Sequence, residues 1–316
     1  MLPFCTAWPA FAGKDKNLDY KEFINQLQQK LQDCLGEAVH VAFHQVTKNN
    51  DICRDCFLIS EAGKNISPAI YLEEYYDAYK RGMEIGEIAG QIQKLYRQCL
   101  NRVSLDAELF GSFQNVRKKV LCRLINREKN RKLLEKIPFI PYLDLAVVFY
   151  FMLEDETFGS GTVMIYQEHL KFWNVDAETL YQTARENTKR LLPGCICNMK
   201  ELLLEILAEE EVMEYPLSEF PMYVLTNEKR YFGACGMLYD SVLADAAGII
   251  GGSFYVLPSS IHECILVPQS SASDPCELSA MVQDINRTQV LPEEVLSDGI
   301  YCYHAEKHQL IQVVAV

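Results

Sequence analysis

Nine consecutive apolar residues, Leu145 to Leu153, follow Asp144. A helix that crosses a bilayer needs about 20 apolar residues, so this run is too short to be one. It carries Val147, Val148, Phe149, Tyr150 and Phe151 without polar alternation. That pattern predicts a central strand over Leu143 to Leu153, buried on both faces. A chain of 316 residues is long enough to bury such a core. Gly159-Ser160-Gly161 then turns the chain into a second strand, Thr162 to Tyr166.

The flanking sequence supplies both helices and hairpins. Phe23, Ile24, Leu27, Leu31, Cys34 and Leu35 recur at helical spacing over residues 19 to 35, and Gly36 stops them. Val39, Val41 and Phe43 share one face of a strand. Thr47-Lys48-Asn49-Asn50-Asp51 is turn chemistry, and Cys56-Phe57-Leu58-Ile59 completes a hairpin. A short strand is predicted over 66–72. An amphipathic helix follows over 83–100, its stripe formed by Ile85, Ile88, Ala89, Ile92, Leu95, Tyr96 and Cys99. Gly82, Gly86 and Gly90 along it predict close helix packing.

Beyond the apolar run, helices are predicted near 167–173, 176–190, 198–213 and 241–250, the last stopped by Gly251-Gly252. Asp274-Pro275-Cys276-Glu277 starts another, with Asp as cap and Pro at the first helical position. Strands are predicted at 222–225, 254–257 and 263–267, and a closing hairpin at 300–304 and 309–315. Hairpins mixed with helix pairs, without regular βαβ alternation, predict an α+β fold with largely antiparallel sheets, packed helices and two lobes. Pro138 and Pro141 set the expected boundary. Residues 1–17 form a flexible extension, 18–136 an N-terminal lobe and 137–316 a C-terminal lobe.

The formal net charge is −13. Such a field repels phosphate backbones and anionic membranes, so no membrane partner is expected and nucleic acid would need a local basic patch. The 12 cysteines are scattered, most of them in apolar runs such as Val120-Leu121-Cys122. This spacing reads as reduced, buried thiols of a cytoplasmic protein and not as a disulfide framework. Ala10-Phe11-Ala12 echoes a signal-peptidase site, but the positive leader segment is missing.

Several longer strings carry a family resemblance. They include "LINREKN" (124–130), "PFIPYLDLAVVFYFMLED" (138–155), "EHLKFWNVDAETLYQTARENTKRLLP" (168–193), "FPMYVLTNEKRYFGA" (220–234), "LPSSIHECILVP" (257–268) and "TQVLPEEVLSDGIYCY" (288–303). Through them the chain resembles an uncharacterised bacterial family, domain of unknown function fifty-six eighty-eight, over roughly Leu18 to Leu310. The resemblance implies a cytosolic bacterial protein and brings no catalytic residues with it.

Four groups of residues invite a chemical reading. Ser260 and His262 in "SSIHE" would share a face of a strand, giving a hydroxyl nucleophile and a base, with Glu263, Asp298 or Asp144 as the acid. The sharp G-x-S-x-G turn of hydrolase nucleophiles is absent, and the serines serve equally as backbone caps after Pro258. For metal, His40 and His44 would lie about 13 Å apart on a strand, too far to share an ion. Cys53-x-x-Cys56 and Cys195-x-Cys197 resemble halves of a zinc site but read better as packed or exposed free thiols, so no metal is expected. The glycine clusters at Gly233 to Gly236 and Gly248 to Gly252 lack the P-loop and dinucleotide patterns, so no cofactor is expected.

The fourth group is the basic stretch 117–136. Arg117, Lys118, Lys119, Arg123, Arg127, Lys129, Arg131, Lys132 and Lys136 face only Glu128 and Glu135. It would meet an acidic protein or nucleic acid if its cations lined up on one face; otherwise it is a solvated surface that neutralises the chain's own acidic segments. The sequence alone favours a binding or regulatory module. The alternatives are a hydrolase using Ser260 and His262 and a nucleic-acid binder using residues 117–136.

Overall fold

The computed structural model describes residues 18–63, 67–102, 111–155, 159–206, 221–272 and 274–313. The fold is α+β, and every strand pairing among these residues is antiparallel. The chain divides into two compact units. One holds the residues up to Lys48 and Ile52–Gly111; the other holds Asn49–Asp51 and Ser112–Val316.

The first unit begins with helix α1 (Tyr20–Leu35). Its start is fixed by a capping box: the Asp19 carboxylate accepts from Glu22 N–H at 2.8 Å, and Glu22 accepts from Asp19 N–H in return. Gly36, at φ 84°, ends it. Strands β1 (Val39–Thr47) and β2 (Cys53–Glu61) form the expected hairpin, with β3 (Ala69–Tyr71) on the far side of β2. Helices α2 (Glu73–Lys80) and α3 (Ile85–Arg102) complete the unit. Its core is built from Phe23, Leu27 and Leu31 of α1, Val41, Phe57 and Ile59 of the hairpin, and Ile88, Ile92 and Tyr96 of α3.

Two details differ from expectation. Phe43 is exposed at 40%, unlike Val39 and Val41 on the same strand. Gly86 and Gly90 do not mediate close helix packing: a Cβ at Gly90 would meet nothing within 4 Å, and one at Gly86 only the end of Lys30. Gly82 serves the turn before α3, where φ is 108°.

The second unit contains a short helix α4 (Phe113–Val116), then strand β4 (Val120–Asn126), helix α5 (Arg131–Leu134), and strands β5 (Phe139–Tyr142), β6 (Leu145–Asp155) and β7 (Gly159–Met164). Strand β6 is the centre of this sheet. It pairs with β4 on one side and with β5 and β7 on the other. The apolar run is therefore a buried central strand, but it starts at Leu145. Leu143, at φ 53°, and Asp144 form a tight turn from β5. The Asp144 carboxylate, accepting from Ser297 Oγ at 2.8 Å and Tyr301 Oη at 2.7 Å, anchors that turn. One sheet thus spans position 137: β4 precedes it, and β5 and β6 follow.

Helices α6 (Gln167–Trp173) and α7 (Ala177–Leu191) come next. The open edge of β4 is closed by side chains of α7. Thr188 Oγ1 accepts from Cys122 N–H at 2.9 Å, and Asn187 Nδ2 donates to Val120 C=O at 2.9 Å. An edge strand is so kept from pairing with another chain.

The remaining elements are β8 (Gly194–Asn198), α8 (Met199–Ile206), β9 (Tyr223–Asn227), α9 (Asp240–Ile250), β10 (Phe254–Leu257), β11 (Cys264–Pro268), α10 (Pro275–Thr288), β12 (Ile300–His304) and β13 (Gln309–Val313). The six strands form one sheet in the order β13-β12-β10-β11-β9-β8. Helix α10 packs on it through Leu278 and Val282, against Tyr255, Val267, Ile300 and Cys302. The expected continuation of α8 toward 213 and the N-terminal extension 1–17 lie outside the described residues.

Candidate functional site at Arg123

Strand β4 reads Val-Leu-Cys-Arg-Leu-Ile-Asn, and all of it except Arg123 is buried. Arg123 pairs with Val148, and Leu121 pairs with Tyr150, so side-chain alternation puts Arg123 and Tyr150 on one face of the sheet. The guanidinium carbon lies 4.5 Å from the Phe232 ring centroid and 6.0 Å from that of Tyr150. Phe232 and Tyr150 meet edge to face at 5.2 Å.

Among the described residues this charge has aromatic neighbours and no acidic one. Arg123 Nε is sealed from water and has no hydrogen-bond partner among the described residues, and the Tyr150 hydroxyl is in the same condition. Desolvation draws the guanidinium below the ordinary arginine pKa. It likewise pushes the Tyr150 phenol well above its usual value. Part of Arg123 still reaches solvent.

Phe232 is held in place by a constrained loop. Arg230 and Phe232 both take left-handed backbone conformations, at φ 50° and 54°. Such a conformation in a bulky residue costs about 1–3 kcal/mol and persists only where its surroundings enforce it. Here Asn227 bridges the loop, donating from Nδ2 to Tyr231 C=O at 2.8 Å and accepting Tyr231 N–H at 3.2 Å. Gly233 follows because nothing larger fits. A Cβ there would lie 2.5 Å from Thr226 Oγ1 and 2.6 Å from His262 O.

His262 is the other clamp. Its Nδ1 accepts the Phe232 N–H at 3.1 Å, and its ring stacks on Phe232 at 5.3 Å and 11°. With Nδ1 as acceptor, the neutral ring carries its proton on Nε2. That nitrogen faces Glu294 Oε1 at 3.5 Å. The backbone of His262 is pinned as well, since its carbonyl accepts from Thr226 Oγ1 at 3.0 Å.

The structure places the sequence-predicted residues as follows. Ser260 to Glu263 form the turn between β10 and β11 and not a strand; Ser260 N–H donates to Glu263 C=O at 3.1 Å. The Ser260 hydroxyl accepts from the His262 backbone N–H at 3.0 Å and does not meet the ring. Asp298 is held by Lys129 Nζ at 2.6 Å and by Asn286, and Asp144 by Ser297 and Tyr301. The acid beside His262 is Glu294, which the sequence reading did not consider.

Strand β4 splits the basic stretch. Arg117, Lys118 and Lys119 precede it, while Arg127, Lys129, Arg131, Lys132 and Lys136 follow it, about 20 Å further along at roughly 3.3 Å per residue. Arg131 pairs with Glu128, and Lys129 with Asp298. Arg123 turns inward, away from any such surface.

His40 and His44 are exposed on β1, and Cys53 is exposed while Cys56 is buried. Cys195 and Cys197 are neighbours on the edge strand β8, where burial, then Cys197, pushes the Cys195 thiol up to about 11. Among the described residues no three His, Cys, Asp or Glu side chains gather where a metal ion could sit. No helix among them is long and apolar enough to cross a membrane. An open cleft of about 400 Å³, lined by Gln182, Arg185, Glu186, Lys189, Tyr239 and Asp240, runs between α7 and the start of α9. Its charges are mixed in sign, and it does not include the aromatic cluster.

Tyr150, Tyr231, Phe232 and Glu294 were missed in the sequence. One signal was present: a single charge in the middle of an otherwise apolar strand. It was read as part of the neighbouring basic run.

Fold and site define an antiparallel α+β protein whose distinguishing feature is an inward-facing arginine among aromatic rings. The chain belongs to the family of unknown function DUF5688, whose model matches residues 20–305. No curated protein and no solved structure matches it.

Proposed function

We propose that the chain is a binding module that takes up an anion at Arg123. The observation that carries this reading is a guanidinium that partly reaches solvent while its buried Nε has no hydrogen-bond partner among the described residues. A buried polar donor left unmet costs about 1–3 kcal/mol, and more when it is charged. Interiors rarely tolerate that cost without a compensating partner. The left-handed Phe232, held against the guanidinium by His262, adds a second strained feature at the same place.

The hydrolase alternative has less support, because the Ser260 hydroxyl and the His262 ring each engage other groups. Nucleic-acid binding has less support too, because the cations sit at opposite ends of β4. Among the described residues five buried free thiols favour a reducing, cytoplasmic setting, and the family resemblance favours a bacterial one.

The test is thermal denaturation with a panel of inorganic and organic sodium salts at constant ionic strength. One or more anions should raise the melting temperature of the wild type in a concentration-dependent way. The rise should vanish in Arg123→Gln. If no anion stabilises the wild type, the reading fails.

A further inference from the structure

We infer that Cys122 and Cys235 are a modification site, a dithiol that hydrogen peroxide converts to an internal disulfide. The two sulfurs lie 3.6 Å apart, and both residues are buried. They come from distant parts of the chain, Cys122 from the middle of β4 and Cys235 from the 3-10 turn Gly233–Leu238. A disulfide has a sulfur separation of about 2.05 Å, so about 1.5 Å of closure is needed, within the reach of side-chain rotation. Strand alternation turns Cys122 to the face of β4 opposite Arg123, so this site is not the one proposed above.

The surroundings divide the roles. Thr188 Oγ1 lies 3.5 Å from the Cys122 sulfur, and the Tyr239 hydroxyl is also within hydrogen-bond reach of it. The hydrogen bond from Cys235, helped by those two hydroxyls, holds the Cys122 thiol below its ordinary pKa although burial opposes it. The same bond, together with burial, pushes the Cys235 thiol well above it. Cys122 is thus the nucleophile and Cys235 the resolving thiol. Tyr239 also lines the cleft between α7 and the start of α9, where its hydroxyl donates to Arg185 C=O at 3.0 Å. It therefore touches both the cleft and the Cys122 sulfur, and a local opening there admits a molecule as small as hydrogen peroxide. The Cys122 thiolate attacks one peroxide oxygen. An S–O bond forms, the O–O bond breaks, and the released hydroxide takes up the proton that Cys122 had given up. The Cys235 sulfur then attacks the sulfenic acid sulfur, loses its proton, and expels the hydroxyl as a second water. Two electrons pass from the thiols to the peroxide.

Peptide mass spectrometry after peroxide treatment tests this on the full-length wild type, Cys122→Ser and Cys235→Ser, with free thiols blocked by iodoacetamide under denaturing conditions. The wild type should yield a crosslinked peptide pair joining Cys122 to Cys235, and dithiothreitol should restore both thiols. In Cys235→Ser, dimedone should label Cys122 as the sulfenic acid; in Cys122→Ser it should leave Cys235 unlabelled. The crosslink in the wild type needs no variant to fold, and the exposed Cys34 is an internal control for oxidation. If Cys122 and Cys235 both alkylate fully after an exposure that oxidises Cys34, the pair is inert packing and the proposal is overturned. A crosslink that forms only after the protein has been unfolded in urea overturns it too. Dimedone on Cys235 with Cys122 unlabelled would overturn the assignment of Cys122 as nucleophile.

Discussion

Arg123→Met should make the protein more stable, not less. Met reproduces the stem of arginine as far as Nε and needs no hydrogen bond there, so it keeps the apolar contacts of the β4 position while giving up the guanidinium tip. Removing the sealed Nε relieves a cost of about 1–3 kcal/mol. Against this stands the attraction between the guanidinium and the Phe232 ring 4.5 Å away, worth about 0.5–2 kcal/mol. The difference favours Met by about 1 kcal/mol. For a domain of roughly 150–250 residues that raises the melting temperature by about 2–4 °C. Urea denaturation should show a higher midpoint at unchanged slope. A group kept at a cost to stability is what a binding residue looks like. If Arg123→Met instead lost more than about 2 kcal/mol, the guanidinium would be a structural element with partners of its own, and the reasoning would be refuted.

Three further perturbations test the surroundings. Gly233→Ala drives a Cβ to 2.5 Å from Thr226 Oγ1 and 2.6 Å from the His262 carbonyl, so it should destabilise by about 3 kcal/mol in a denaturant titration; a neutral result would mean that this loop readily moves. Thr188→Val removes the acceptor of the Cys122 N–H on the open edge of β4 and should cost about 1–3 kcal/mol, measured the same way. Asp298 gives a pH test. Burial alone would raise its carboxyl pKa, but Lys129 and Asn286 outweigh burial and hold it below the ordinary value. A depressed folded pKa contributes stability that is present above the unfolded value, about 3.9, and lost as pH falls through the folded one. Lys129→Met should therefore flatten the fall in stability below about pH 4, and an acid limb identical to wild type would show that this pair does not contribute.

Much of the fold was legible because it is set by near neighbours along the chain. Phe23, Leu27 and Leu31 announce α1 and Gly36 its end, Asp274 and Pro275 announce α10, and Gly251 ends α9 in a left-handed turn. The alternation around Asn49-Asn50-Asp51 announced the β1–β2 hairpin. Strand β4 was not legible. Its central arginine and the cations on both sides hid a pattern in which six of seven residues are buried. Residues 143–153 were legible as one strand, but β5 (Phe139–Tyr142), which precedes it, was not. Their turn uses Leu143 in a left-handed conformation, where sequence signals lead one to look for glycine or asparagine.

By itself the sequence determined that this is an α+β protein with largely antiparallel sheets, a buried strand beginning near Leu145 and scattered free thiols, and that it belongs to one particular family. The fold conclusions follow from periodicity, caps and composition, which act over a few residues; the family follows from the resemblance of the longer strings. Only the tertiary structure decided the site. It set Phe232 against Arg123, 109 positions away by residue number, and His262 against Phe232, 30 positions away. It gave His262 the acid Glu294 while sending Asp144 to Tyr301, 157 positions away, and Asp298 to Lys129, 169 positions away. Contacts at such separations come from how strands register and loops fold back. The same arginine is a surface charge or one set among aromatic rings with its Nε buried, depending on which face of β4 turns inward.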